Sequence, residues 1–211
     1  YPTTVKNPLN HSTLYTYDYS SGKPLTIKNP NGFTSTYVYD GLDRVIEEKI
    51  PNPTTGVGVT KTTYVYDDVS FPRSVHKSVY CDVGIAKEVY TYVDGFGRVV
   101  QTRSELETPV TDTIYDARGN ISVTSLPYEA SGEVYDDATT DEDILTSFAY
   151  DPMNRIVSIE NILGTTTYEY DDWKKTVVDA NDHEKVFYEN AYGNLVQVTE
   201  KNGFFSYNTY Y

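Results

Sequence analysis

Thr34-Ser35-Thr36-Tyr37-Val38-Tyr39-Asp40 is the stretch whose reading decides the fold. Alternating β-branched and aromatic residues predict a strand. Tyr37 and Tyr39 stand two apart, so they share one face of it. Asp40 ends the strand, because its short carboxylate can bond a backbone N–H two residues on and open a turn. Asp43 follows, one of the residue types that accept a left-handed backbone. Arg44 is next, and Val45 starts a second strand. The unit is strand, tight turn, strand: a β-hairpin.

The same unit recurs in both directions. Tyr-x-Tyr-Asp is intact at Tyr15-Thr16-Tyr17-Asp18, Tyr64-Val65-Tyr66-Asp67 and Tyr168-Glu169-Tyr170-Asp171. Altered copies occur at Tyr90-Thr91-Tyr92-Val93-Asp94, Thr113-Ile114-Tyr115-Asp116 and Phe148-Ala149-Tyr150-Asp151. Phe187-Tyr188-Glu189-Asn190 and Phe205-Ser206-Tyr207-Asn208 are weaker ones. Gly97, Gly119, Asn154 and Gly193 hold the place of Asp43, and Arg98, Asn120, Arg155 and Asn194 that of Arg44. Val99, Ile121, Ile156 and Leu195 then begin return strands. Turn residues also join one hairpin to the next, at Asn29-Pro30-Asn31-Gly32, Pro51-Asn52-Pro53 and Asn202-Gly203. A period of about 20 residues marks a repeat architecture. The expectation is an all-β protein in which antiparallel hairpins build a curved, spiralling sheet. Residues 1–211 read as one continuous repeat region of about nine units, in which Asp171 opens a turn like the other motif aspartates.

Composition narrows the function. Hydrophobic residues make up 38% of the chain, and 22 residues are Tyr. A tyrosine buries its ring but needs a partner for its hydroxyl, so the interior is expected to be thin and half-wet. The net charge of −14 disfavours nucleic acid and anionic membranes as partners. No apolar run reaches the roughly 18 residues that span a bilayer. Cys81 is the single cysteine, which excludes an intrachain disulfide. Met153 is the only methionine, so the chain reads as a piece of a longer protein, with neighbours expected at both open sheet ends. Residues 127–147 interrupt the period and carry Glu133, Asp136, Asp137, Asp141, Glu142 and Asp143, read as an exposed acidic loop. Asn10-His11-Ser12 and Asn120-Ile121-Ser122 match the glycosylation acceptor pattern, a short pattern that often arises by chance.

No residues assemble into a recognisable reaction centre. His11, His76 and His183 lie far apart, in no metal-ligand spacing. The repeated aspartates and the acidic loop could offer oxygen ligands to Ca²⁺. The loop lacks a glycine-centred ligand spacing, and the turn residues after each Asp give those carboxylates a structural role. Cys81 has no thiol-enzyme context, and Asp112-Thr113-Ile114 departs from an aspartic-protease loop. No enzyme activity, cofactor or metal is expected. Tyrosine pairs with Trp173 could stack on sugars, but their place before each turn suits cross-strand ladders.

Asp94-Gly95-Phe96-Gly97-Arg98-Val99, Asp116-Ala117-Arg118-Gly119-Asn120-Ile121 and Asn190-Ala191-Tyr192-Gly193-Asn194-Leu195 resemble the Tyr-Asp repeat, also called the Rhs repeat. The resemblance runs over about residues 15–208, through Tyr15, Tyr17, Asp18, Tyr37, Tyr39, Asp40, Arg44, Tyr64, Tyr66, Asp67, Tyr92, Asp94, Gly97, Arg98, Tyr115, Asp116, Gly119, Tyr150, Asp151, Arg155, Tyr168, Tyr170, Asp171 and Gly193. Members of that family are large bacterial surface or secreted proteins, including insecticidal toxin-complex subunits and polymorphic toxins; animal teneurins carry the same repeats. Leu126-Pro127-Tyr128 resembles the toxin-complex branch. The resemblance implies a hollow β-shell that encloses a toxin or effector segment of the same polypeptide or its partner. A second implication is a cell-surface adhesion strip that binds glycans. The family's autoproteolytic segment and toxin domain have no counterpart among these motifs.

Overall fold

The computed structural model describes residues 1–51, 59–80, 86–104, 109–130, 134–202 and 205–210, with side chains up to residue 200 except those of Val59 and Ala86. Cys81, Glu133, Gly203, most of the Pro51–Gly58 connection and the side chains of the last motif copy lie outside the described residues. The chain divides into two compact units. Unit 1 comprises Tyr1–Pro109 with Ala130–Tyr135, and unit 2 comprises Val110–Glu129 with Asp136–Tyr211.

Unit 1 is a meander of antiparallel strands: β1 (Thr4–Lys6), β2 (Ser12–Tyr17), β3 (Pro24–Lys28), β4 (Thr34–Tyr39), β5 (Val45–Pro51), β6 (Val59–Asp67), β7 (Arg73–Tyr80), β8 (Ala86–Val93) and β9 (Val99–Ser104). From β1 to β9, consecutive strands pair with one another. Unit 2 continues from β10 (Pro109–Tyr115) to β11 (Ile121–Ser125) and the short β12 (Tyr128–Glu129). After a 3-10 turn at Glu142–Ile144 come β13 (Leu145–Tyr150), β14 (Ile156–Asn161), β15 (Gly164–Asp171), β16 (Lys174–Val178), β17 (Glu184–Glu189), β18 (Leu195–Asn202) and β19 (Phe205–Tyr210). Here too consecutive strands pair antiparallel, except that β12 pairs with β10 and β11 pairs with β13. The all-β hairpin architecture expected from the sequence is the one observed.

Each unit is a run of antiparallel hairpins, and few of its apolar side chains are buried. Among the described residues the buried apolar side chains are Tyr92, Val110, Val186 and Val198. The motif tyrosines of β2, β4, β6 and β15 are half-buried, whereas Val38 and Val65 between them are 46% and 62% exposed. Period-2 alternation therefore sorts tyrosine to one face and small apolar residues to the other. Among these tyrosines, Tyr15 and Tyr17 stack with ring centroids 6.1 Å apart.

The acidic insertion departs from the exposed loop expected over 127–147. Its carboxylates at Asp136, Asp137, Asp141, Glu142 and Asp143 do face solvent. Tyr128, Tyr135 and Thr139 are half-buried. The Tyr128 hydroxyl and the Thr139 N–H both donate to Asp112 Oδ2, at 2.8 and 2.9 Å, and Asp112 is 3% exposed. In unit 1, Tyr135 packs on Tyr92 with ring centroids 5.5 Å apart. A buried carboxylate needs donors, and this segment supplies two of them.

Candidate functional site

The repeated feature of this chain is its motif turn, and the turn is built around one carboxylate. Asp40 Oδ1 accepts from the N–H groups of Leu42 and Arg44, both at 2.9 Å, and Oδ2 accepts from Arg44 Nε at 2.8 Å. The Asp40 N–H donates to the Arg44 carbonyl, and Asp43, at φ 60°, donates its N–H back to Asp40. Asp94 with Arg98, Asp116 with Asn120, and Asp151 with Arg155 repeat this geometry. Gly97, Gly119, Asn154 and Gly193 have φ of 79°, 89°, 62° and 76° at the place of Asp43. The left-handed residue read from the sequence is therefore present in each of these turns.

These bonds hold the carboxyls below the ordinary range. For Asp40 and Asp151 the leading cause is the backbone N–H of the following arginine. For Asp94 and Asp116 partial desolvation pushes upward first, and the donated hydrogen bonds outweigh it. Arg44, bonded by Asp68 and Asp40, is pushed further up. Burial raises Tyr37, Tyr39, Tyr64 and Tyr66 above the ordinary phenol value.

The tyrosine before the turn ties one hairpin to the previous one. Tyr39, Tyr66, Tyr150 and Tyr170 donate their hydroxyls to the carbonyls of Pro24, Val45, Ile121 and Ile156, at 2.8 to 3.0 Å. Those four acceptors are the residues paired with Tyr17, Tyr39, Tyr115 and Tyr150 at the preceding turn, where the register slips by one residue. A bulge interrupts the ladder, and the next hairpin's phenol bonds the carbonyl there. Tyr17 makes the corresponding bond to Pro2. The turn arginines reach forward in the same way. Arg44 lies 4.1 Å over the Tyr66 ring and pairs with Asp68, and Arg155 lies 4.3 Å over Tyr170. Arg118 donates to the Asp151 carbonyl, and Asn120 to Asn154. Each such contact is worth on the order of 1 kcal/mol, so the lattice acts through repetition.

Several positions differ from the sequence reading. Tyr90 and Tyr92 lie on the face opposite Tyr64 and Tyr66, because Tyr64 pairs with Lys77 and Lys77 with Val89, while Tyr90 pairs with His76. Val93 separates Tyr92 from Asp94, and it is Val93, paired with Val99, that holds the place of Tyr39. One extra residue reverses every side chain before it. Asp171 does not open a five-residue turn. It is the last residue of β15, paired with Lys174 across a two-residue turn in which Asp172 has φ 48°. Asp67 also ends within its strand, and its Oδ1 accepts from Val69 and Ser70. Asn208 lies inside β19. Turns of the Asp40 type that the motif search missed stand at Asn7 and Asp179, between the other ends of the strands, alongside the expected one at Asn29. Their signal is an Asx residue followed three places on by Asn10, Asp182 or Gly32, all at positive φ.

His76, Ser78 and Glu88 have the residue types of a hydrolytic triad, but Ser78 Oγ and Glu88 Oε2 both face His76 Nε2, at 3.2 and 3.6 Å. A triad places the nucleophile and the carboxylate on opposite ring nitrogens. Among the described residues, no group of three His, Cys, Asp or Glu is placed to hold a metal ion.

No protein-family model matches the sequence, and no curated protein matches it. Solved structures do match. A crystal structure of TcdB2-TccC3 superposes on 98% of this chain with a TM-score of 0.79 and 14% identity. One of TcdB2-TccC3-TEV covers 98% with a TM-score of 0.81 and 11% identity. TcdB2-TccC3 without its hypervariable C-terminal region covers 94%, with a TM-score of 0.74 and 13% identity. At this identity the likeness is one of fold. The chain spans only 14% to 16% of the length of those chains.

Proposed function

We propose that this chain is a wall segment of a hairpin-built shell that encloses a polypeptide cargo. The observation that carries the reading is the forward lattice: at four junctions a hairpin presents a bulge carbonyl that the next hairpin's tyrosine takes. Such a lattice extends without limit and needs no second layer, which suits a wall and not a compact domain. Two further observations support it: the likeness in fold to much longer chains, and the hypervariable C-terminal region that was left out of one TcdB2-TccC3 structure. The partners would be the rest of the same polypeptide and an enclosed toxin or effector segment. The protein would be secreted or held at a cell surface. Its role is passive; measurable turnover by the chain itself would contradict this part of the reading.

Glycan adhesion is the weaker alternative. The hydroxyls of Tyr17, Tyr39, Tyr66, Tyr150 and Tyr170 already donate to backbone carbonyls, which removes the polar handle that a sugar would use. The test is a cryo-EM map of the full polypeptide that contains residues 1–211, combined with limited proteolysis. A closed hairpin wall with density inside, and a segment protected until the wall is opened, is the expected result. An open strip whose other segments are cut as fast as free peptides would overturn the proposal.

A further inference from the structure

The repeat is broken in three places within unit 1, and the breaks meet. The extra residue Val93 turns Tyr90 and Tyr92 onto the second face. The five-residue turn is replaced after Asp67 by a segment that includes Ser70, Phe71 and Pro72. Val134 and Tyr135 of the insertion join this unit, away from the rest of their segment. Together these residues surround a hollow of about 420 Å³. Its floor is two cross-strand rows, Val65–His76–Tyr90 and Asp67–Ser74–Tyr92. Phe71 and Tyr135 form walls. Departures from a local rule that converge on one place are where function is expected, and the volume suits a small-molecule site, roughly 300–1,000 Å³.

The lining is chemically one-sided. His76 and Tyr90 stack at 4.1 Å with their planes 6° apart, and Tyr135 tilts 56° against Tyr92. Phe71 is 79% exposed at the rim. The lining includes one carboxylate, Asp67, neither lysine nor arginine, and one histidine, His76, whose Nε2 faces Ser78 Oγ and Glu88 Oε2. Hydrogen bonds from Ser70, led by its hydroxyl, and from the Val69 N–H hold that carboxyl below its ordinary range. Ring faces carry negative potential, and with a fixed carboxylate they complement an organic cation. The net charge of −14 favours the approach of one.

We infer that this hollow binds an alkylammonium group, carried either by a quaternary ammonium compound or by a lysine side chain of a polypeptide. The site stands independently of the shell reading. The test titrates the full polypeptide that contains residues 1–211 with choline, with its neutral isostere 3,3-dimethylbutanol and with N-acetyl-lysine amide, followed by ligand-observed NMR. Choline or the lysine derivative is expected to bind in the millimolar range, and roughly tenfold more tightly than the neutral isostere. Which cation binds more tightly identifies the source of the group. Asp67→Asn keeps an Oδ1 acceptor for Val69 and Ser70, so it should leave the circular dichroism spectrum that of the folded chain while weakening cation binding roughly tenfold. Tyr135→Ala should weaken it as well. Equal affinity for choline and its isostere, unchanged binding in Asp67→Asn, or saturable binding of methyl glycosides in place of cations would overturn the proposal.

Discussion

The β4–β5 and β8–β9 hairpins close on the same turn, and their tyrosines face opposite ways. In the first, Tyr39 sits beside Asp40 and donates to Pro24 in the strand before. In the second, Val93 sits beside Asp94, and Tyr90 and Tyr92 meet His76 and Tyr135 on the other face. Asp40 and Asp94 nonetheless make the same set of bonds to Arg44 and Arg98. The carboxylate-centred turn therefore sets the register, and the strand letters follow it. Tyrosine position is free to vary by one residue, and that freedom lets one repeat serve a different surface.

The largest test of this contrast deletes Val93, which restores Tyr-x-Tyr-Asp. Tyr92, now 6% exposed, would leave its buried place, and Tyr135 would lose its ring partner. A loss of about 3 kcal/mol or more is expected in urea unfolding. A deletion variant as stable as the parent would show that the second face contributes little. Next in size is Gly97→Ala. Nothing lies within 4 Å of the added Cβ, so the cost is backbone strain at φ 79°, about 1–2 kcal/mol. Asp43→Gly, at the matching place in the β4–β5 turn, should shift the melting midpoint upward.

Tyr39→Phe removes one hydroxyl and should cost about 1 kcal/mol, while Val38→Thr, on the exposed face, should stay within about 0.5 kcal/mol. Equal effects from the two would refute the interhairpin bond. The smallest effect is that of acid. The carboxyls of Asp40, Asp94, Asp116 and Asp151 lie below their unfolded value of about 3.9. Their contribution is present above that pH and is lost as pH falls through the folded values. Carbon-13 titration of the side-chain carboxyls should show those depressed steps, and Asp40→Asn should delete one of them. The Asn190 turn makes the bonds to Tyr192 and Asn194 with no charge to titrate, and it should not respond.

The hairpins, their turns and the tyrosine face of β2, β4, β6 and β15 were legible because each rests on neighbours in sequence: period-2 alternation and an Asx residue with a left-handed partner three places on. The reversal at Tyr90 and Tyr92 was hidden because the eye aligns tyrosines, whereas the backbone aligns aspartates. Asp171 misled for a related reason, since Asp172-Trp173 already closes a two-residue turn after it. Asp179 was overlooked because Val177 and Val178, and not tyrosines, precede it. The docking of Tyr128, Tyr135 and Thr139 depends on contacts between segments far apart in the chain, which no local pattern encodes. The aromatic hollow was illegible for the same reason.

The tyrosine bonds also have a direction. In all five, the donor lies later in the chain than its acceptor, by 14 to 29 residues. As the polypeptide leaves the ribosome, each acceptor carbonyl emerges before the phenol that will claim it. A hairpin can therefore be fastened as soon as it appears, with only a short loop to close. The protein can be laid down course by course, in the order in which it is translated.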